Sequence, residues 1–277
     1  MDHWQLPTRR LDLSERPLTM GILNVTPDSF SDGGRFAELQ RAVEHGLRLI
    51  ADGADILDIG GESTRPDADE VDIDEELRRI IPVIQELRKQ TSIPLSIDTR
   101  KAAVATEAIR AGAEIVNDVS AASDPDMIPL LRETGAAVCI MHALGTPKTM
   151  QLDPRYENVV DEVYEFLRRK RDELVTAGIE RSRIAVDPGL GFGKTVEHNW
   201  TLVRNIVRFL ELDCPLLVGH SRKRFIAATF EDREEGTRIV SRELIRSGVQ
   251  ILRLHSVADS SSSGGNSIEI GSGTINE

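Results

Sequence analysis

Eight short apolar runs, each ending on polar or charged residues, constrain this chain more than any other feature. They read LTMGILN, ADILDIGGEST, PLSIDTR, EIVNDVS, AAVCIMH, RIAVDPG, PLLVGHSR and ILRLHS. Between successive runs lies enough chain for a crossover, mostly with helical patterning. Eight strand-then-helix units in succession predict an α/β fold, a (β/α)8 TIM barrel in a single domain. In such a barrel the chemistry sits at the C-terminal ends of the strands. Those ends carry Asn24, Thr64, Arg65, Asp98, Asn117, His142, Asp187, Ser221, Lys223, Arg253 and His255. Capping and solubility require polar groups there, but not this mixture of carboxylates, amides and cations.

A length of 277 residues suits one barrel of this kind. Helical spacing marks FAELQRAVEHGLRLIADGA, DIDEELRRIIPVIQELRKQ, KAAVATEAIRAGA, DPDMIPLLRETGA, YENVVDEVYEFLRRKRDELVTAGI, VEHNWTLVRNIVRFLEL and EEGTRIVSRELIRSG as seven crossover helices. The acidic run DADEVDIDEE reads as the solvated start of the second helix rather than a metal site, because negative charge there meets the positive end of the helix dipole. Residues 1–18 read as a lead-in, with a hairpin closing the barrel bottom. Residues 19–258 form the barrel, and 259–277 a Ser/Gly-rich tail of flexible character. The helix after strand 8 is therefore expected to be missing. Leu252 and Leu254 alternate with Arg253, so they are expected to face outward and lie partly bare.

The charge balance is 34 basic against 46 acidic residues, a formal −12. It argues against a nucleic-acid footprint or attraction to an anionic membrane, while leaving room for a small anion in a cationic cleft. Cys139 and Cys214 are too few for a disulfide framework and lack zinc-ligand spacing. No window is apolar enough to span a bilayer and the first residues do not resemble a signal peptide, so the cytoplasm is the expected location.

Asp98 ends PLSIDTR with an alternation that sets Ser96 and Asp98 on one face; the competing reading is a cap on the following helix. Either Asn117 or Asp118 faces inward while the other serves the turn. Asp187 opens DPGLGFGK, whose three glycines would let backbone approach a planar ligand, although their spacing fits neither a phosphate loop nor a dinucleotide fingerprint. Carboxylates and a carboxamide at three strand ends suit paired hydrogen bonds to a heterocycle with amide-like edges. Arg65, Lys223, Arg253 and His255 gather positive charge that suits phosphate or pyrophosphate; the alternative is a set of separate surface ion pairs. Asn24 alone is too weak a ligand to indicate a metal. With pyrophosphate bound it could complete a Mg2+ shell otherwise made of phosphate oxygens and water. His142 fits a structural role better than that of a base, and no Ser/His/Asp or Cys/His nucleophile set is present.

Taken together, MGILNVTPDSFSDGG (20–34), GGESTRP (60–66), IDTRKA (97–102), NDVS (117–120), MHALGTPKTMQ (141–151), DPGLGFGK (187–194), GHSRKRFI (219–226) and RLHSV (253–257) resemble, in order and spacing, the dihydropteroate synthase family. The resemblance implies a TIM-barrel transferase of folate biosynthesis, the target of sulfonamides, which joins 6-hydroxymethyl-7,8-dihydropterin pyrophosphate to 4-aminobenzoate. It implies that Asp98, Asn117, Met141, Asp187, Phe192 and Lys223 hold the pterin, and that Thr64, Arg65, Arg253 and His255 receive the pyrophosphate. Thr64, Pro66, Phe192, Ser221 and Arg224 would border 4-aminobenzoate, and Asn24 would serve Mg2+. Asp98, Lys223 and Arg253 would carry the catalysis. The loops after strands 1 and 2 would close over the reactants, and the family's habit would make the protein a homodimer. Two departures stand out: Arg224 where the family commonly has Ser, and Ser256 where it commonly has an acid. Rival readings are a pterin-dependent methyltransferase on the same barrel and a non-catalytic pterin-binding relative.

Overall fold

A computed structural model describes residues 1–26, 34–63, 68–145, 150 and 153–258; for 34–36 only the backbone is described. Eight parallel strands follow one another around a ring: β3 (Leu18–Asn24), β4 (Ile56–Gly60), β5 (Leu95–Asp98), β6 (Ile115–Asp118), β7 (Ala137–Met141), β8 (Ile184–Asp187), β9 (Leu217–Val218) and β10 (Ile251–Leu254). The last strand pairs with the first, Ile251 opposite Leu18, and a parallel bridge from Val186 to Leu216 closes the remaining gap between β8 and β9. The expected barrel is therefore present, strand for strand.

Alternation along each strand sorts the side chains. Met20, Ile56, Ile115, Ala137, Cys139, Ala185, Leu217 and Ile251 fill the lower interior with apolar atoms. Below them lies the expected hairpin, β1 (His3–Gln5) antiparallel to β2 (Arg10–Asp12). It drives Trp4 and Leu6 into the barrel floor at 0% and 1% exposure, and the Trp4 indole N–H donates to the Arg183 carbonyl at 3.1 Å. A polar terminus is satisfied while the ring displaces water.

The outward strand residues Leu23, Leu57, Ile59, Ile97, Val116 and Val138 meet a shell of helices. The shell runs through α1 (Gly34–Ala51), α2 (Ile73–Gln90), α3 (Ala102–Ala111), α4 (Met127–Thr134), α5 (Val159–Thr176), α6 (Val196–Arg204), α7 (Arg224–Ala227) and α8 (Arg233–Arg246). On α2 the stripe Ile80, Val83, Ile84 and Leu87 is buried, each contributing on the order of 2 kcal/mol through removal of apolar surface from water. The sixth predicted helix is broken: after Arg204 the chain tightens into a 3-10 turn at Ile206–Leu212, with Asn205 bonding back to the Thr201 carbonyl at 2.8 Å. The short α7 was not visible in the sequence pattern. Among the described residues no helix is long and apolar enough to cross a membrane.

Two expectations need correction. The acidic run is expected to be a solvated helix entry, and Asp72 does cap α2 by accepting from Glu75 N at 2.8 Å. Its last member, Glu76, is instead fully buried and paired with Lys101 Nζ at 2.7 Å. The same ammonium binds Glu62 at 2.8 Å and the Val71 carbonyl at 2.5 Å, which ties down both sides of the loop after β4. Leu252 and Leu254, expected to lie bare, are 1% and 2% exposed. They and Val257 belong to the shell core that includes Leu49 and Ala54 near the end of α1, and Val240 and Leu244 of α8. The place of an eighth helix, with residues 259–277, lies outside the described residues.

Candidate active site

The upper ends of the strands bring together the residues picked out from sequence. Asn24, Gly60, Asp98 and Asn117 stand opposite one another across β3, β4, β5 and β6. Gly60 contributes space: a Cβ there would lie 3.8 Å from Asp98 Oδ2 and 3.9 Å from Asn24 Oδ1. Of the two candidates on β6, Asn117 faces the interior and Asp118 caps the following loop, accepting from Ser120 N and Ala122 N at 2.7 and 2.9 Å.

A residue missed in the sequence organises this layer. Asp58 is fully buried one step below the strand end; its Oδ2 accepts from Asn117 Nδ2 at 2.9 Å and from Arg253 Nε at 2.6 Å. The Arg253 Nη2 donates in turn to Asp98 Oδ2 at 2.6 Å. Its position alternating with Ile56 and Gly60 is the signal available in the sequence, although it lies inside the strand rather than at its end. Asp98 Oδ1, Asp58 Oδ1 and Ser96 Oγ are buried without a hydrogen-bond partner among the described residues. Such groups cost free energy unless something arrives to satisfy them.

Electrostatics follow from burial. Burial pushes the Asp98 carboxyl up to about 7; Arg253 opposes the rise and the neighbouring Asp58 adds to it. Asp187 is raised by burial, against the pull of Lys223 and the Gly189 N–H. Lys223 is pushed down to about 8 by burial, with Asp187 resisting. Burial works against the charge of Arg253 too, yet Asp58 and Asp98 together hold its proton more tightly than usual. Paired groups with opposed shifts in one cleft mark a functional site.

The loop after β8 builds the opposite wall. Asp187 Oδ1 accepts from Gly189 N at 2.7 Å, Lys223 Nζ donates to the Leu190 carbonyl, and the same ammonium lies 4.4 Å from the centre of the Phe192 ring. The glycines serve the protein's own close packing. Gly189 has φ +69°, and a Cβ there would lie 2.0 Å from the His142 carbonyl oxygen; one on Gly191 would lie 2.9 Å from Lys223 Cδ. Met141, 4% exposed, packs beneath Gly189. Lys194, also missed, is 3% exposed and pins the loop: its Nζ reaches His142 Nδ1 and the Gly189 carbonyl at 2.9 Å and the Phe192 carbonyl at 3.0 Å. His142 is pushed down to about 3 by burial and by Lys194, so it stays neutral, in keeping with its structural reading.

Three consecutive residues after β9 separate in three directions. Ser221 Oγ lies 3.1 Å from His255 Nδ1, Arg222 turns outward to Glu234 at 2.6 Å, and Lys223 turns in. Arg222 manages this at φ +58°. Arg224 opens α7 and is exposed. The structure thus assembles Asn24, Asp98, Asn117, Met141, Asp187, Phe192, Ser221, Lys223, Arg253 and His255 around one mouth. Thr64, Arg65 and Pro66, with the loop after β3, lie outside the described residues.

A closed parallel barrel whose mouth holds buried carboxylates, Asp98 with one oxygen still to be satisfied, facing an ammonium and a guanidinium is the architecture of an enzyme that binds a polar heterocycle. Comparison with known proteins narrows that class. A sequence profile described as pterin-binding enzyme matches residues 20–255. Dihydropteroate synthase of Haemophilus influenzae is 43% identical over 256 residues, 91% of this chain and 92% of the relative. That of Escherichia coli strain K12 is 42% identical over 253 residues, 90% and 89% of the two chains. Among solved structures, Xanthomonas albilineans dihydropteroate synthase with 4-aminobenzoic acid superposes with a TM-score of 0.87 at 43% identity, covering 94% of both chains. The same organism's enzyme in complex with 7,8-dihydropteroate gives 0.83 at 41% identity, over 93% and 94%. The chain belongs to the pterin-binding enzyme family, among the dihydropteroate synthases.

Proposed function

We propose that this chain joins 6-hydroxymethyl-7,8-dihydropterin pyrophosphate to 4-aminobenzoate, giving 7,8-dihydropteroate and pyrophosphate. The observation that carries the reading is Asp98 Oδ1, buried without a partner in register with Asn117 at the barrel mouth. A pterin N–H supplies the donor this oxygen lacks. Asp187 accepts from the ring at the opposite wall and Lys223 donates to it, while Phe192 and Met141 pack on its faces.

The bond between the pterin methylene and its oxygen breaks with the electron pair leaving on pyrophosphate. Positive charge then develops on the methylene, and the anionic form of Asp98 stabilises it through the ring. Arg253 and His255, with Arg65 and Thr64, hold the departing anion. The aminobenzoate nitrogen attacks the methylene and releases a proton; it needs positioning more than activation. Ser221 and Arg224, with Thr64, Pro66 and Phe192, frame that second substrate.

Mg2+ belongs to this reading as a partner of the pyrophosphate, where it would neutralise charge on the leaving group. Around Asn24 the chain offers one neutral carboxamide oxygen among arginines and histidines. Among the described residues no three His, Cys, Asp or Glu side chains converge to hold a metal. This donor set suits an ion brought in on phosphate oxygens, with Asn24 completing its shell. A cytoplasmic homodimer completes the proposal; light scattering after size-exclusion chromatography tests the assembly.

The deciding experiment mixes both substrates with the protein and follows pyrophosphate and dihydropteroate, with and without EDTA. Stoichiometric formation of both, suppressed by EDTA, is expected. Pterin binding without either product would replace this reading with that of a non-catalytic pterin binder, and full activity in EDTA would remove the metal from it.

A further inference from the structure

On its buried face α8 carries two hydroxyls where a crossover helix ordinarily carries apolar side chains. The buried residues include Thr237, Val240, Ser241 and Leu244, with Thr237 7% and Ser241 4% exposed. Both hydroxyls reach beyond their own helix. Thr237 Oγ1 donates to the Arg233 carbonyl at 2.7 Å and accepts from the Arg222 N–H at 3.3 Å. Ser241 Oγ donates to the Thr237 carbonyl at 2.9 Å and meets His220 Nε2 at 2.8 Å. With its one proton committed, that oxygen accepts from the ring, so His220 carries its hydrogen on Nε2. The ring stays neutral, because burial pushes it down to about 4. Nearer the helix start, Glu234 takes the Arg222 guanidinium at 2.6 Å.

Spaced by three and four residues, Glu234, Thr237 and Ser241 share one face of α8, and all three grip the turn after β9. A glycine brings the helix close enough: a Cβ on Gly236 would lie 2.7 Å from both Ile226 and Phe230. Arg222 sits at φ +58° between Ser221 and Lys223, a left-handed conformation that costs free energy in a residue with a Cβ. That reversal sends Ser221 to His255 at 3.1 Å, and Lys223 to the Leu190 carbonyl and the Phe192 ring. Without a hold from outside, Arg222 would relax toward negative φ and Lys223 would lose its aim.

We propose that Thr237 and Ser241 are positioning residues for Lys223, holding the left-handed turn that aims its ammonium into the barrel mouth. The hold on the turn stands on geometry alone; its consequence for pterin binding rests on the function proposed above. Neither hydroxyl needs to touch a substrate. Each acts through the backbone or ring of the turn, Thr237 on Arg222 and Ser241 on His220.

The test reads Lys223 directly. Its ammonium lies among Asp187 of β8, Arg253 of β10 and Asp98 of β5, near the neutral His220, and burial pushes it down to about 8. NMR titration of lysines isotopically labelled at Cε follows that value, with Lys223→Arg assigning the signal. In Thr237→Val/Ser241→Ala, Lys223 should titrate higher, toward the ordinary lysine range, as it leaves its buried place. Affinity for 6-hydroxymethylpterin, measured by calorimetry, should fall about tenfold. Either single variant stands in, with smaller effects, if the pair folds poorly. Thr237→Ser retains the hydroxyl and should match the parent in both readouts. Thr106→Val removes a hydroxyl of α3 that bonds the Ala102 carbonyl at 2.8 Å; it should lower the thermal midpoint at most. A Lys223 titration or a pterin affinity unchanged in the α8 variants, or moved equally by Thr106→Val, overturns the proposal. A parent that binds no pterin, while the titration still responds to the α8 variants, sinks only the function proposed above.

Discussion

Arg253 Nη2 lies 2.6 Å from Asp98 Oδ2, joining the last strand of the barrel to the third, while its Nε holds Asp58 at 2.6 Å. One guanidinium thus offsets two buried carboxylates. Arg253→Ala should leave both uncompensated and lower stability by about 3 kcal/mol or more, read as a fall in the thermal midpoint. Asp98 should then ionise at still higher pH, because Arg253 is what restrains its rise. Arg253→Lys keeps a charge but not the two-pronged geometry, and should recover only part of the loss. A midpoint unchanged in Arg253→Ala would show that the bridge contributes nothing.

Asp98 and Lys223 set opposite limits on pH. The reaction needs Asp98 ionised, and it is pushed up to about 7; it needs Lys223 charged, and that group is pushed down to about 8. The ratio kcat/KM for the pterin substrate should therefore rise through about 7 and fall through about 8, a narrow bell for the free enzyme. Lys223→Arg, which stays charged, should lose the alkaline fall whatever its absolute rate. An alkaline limb that survives in Lys223→Arg would assign it to another group.

Lys194 braces one wall of the mouth from within, bonding two carbonyls of the loop carrying Asp187 and Phe192. Lys194→Met fills the same space without the hydrogen bonds. Left unsatisfied, those carbonyls cost about 1–3 kcal/mol each, so both a lower thermal midpoint and a raised KM for the pterin substrate are expected. A change in the midpoint with KM intact would limit Lys194 to stability.

Arg224 stands exposed at the start of α7, next in sequence to Lys223. If it pairs with the aminobenzoate carboxylate, Arg224→Glu should raise the KM for aminobenzoate about threefold to tenfold, within the range of a solvent-exposed charge pair and its reversal. Pterin binding should not move, and inhibition by sulfonamides should weaken in step. An unchanged KM would leave Arg224 a solvated surface residue.

The strands were legible because each is a short apolar run closed by a turn, and period-two alternation correctly turned Asp98 and Arg253 inward. Asp58 was not, because a carboxylate in mid-strand reads as an anomaly until the register sets Asn117 and Arg253 beside it. Lys194 was hidden for a related reason: its partners are mostly backbone carbonyls, which leave no mark in sequence. The break at Asn205 keeps apolar residues on both sides, so helical spacing runs through it unaltered. Leu252 and Leu254 were assigned to a bare face because burial depends on how closely α1 and α8 flank the last strand, which local pattern does not encode.

The floor of the barrel also bears on how the chain is made. Trp4 bonds the carbonyl of Arg183, the carbonyl of Met1 accepts from Gln250 Nε2 at 2.5 Å, and the terminal ammonium lies 3.8 Å from Asp213. Residues 1–6 therefore find partners that lie about 180 to 250 positions further along the sequence. A growing chain carries Trp4 and Leu6 without their full native burial until these later residues are made, and the ring closes only once β10 has emerged beside β3. Native closure therefore waits for β10, and a chain stopped before Gln250 would carry a plug with an incomplete socket.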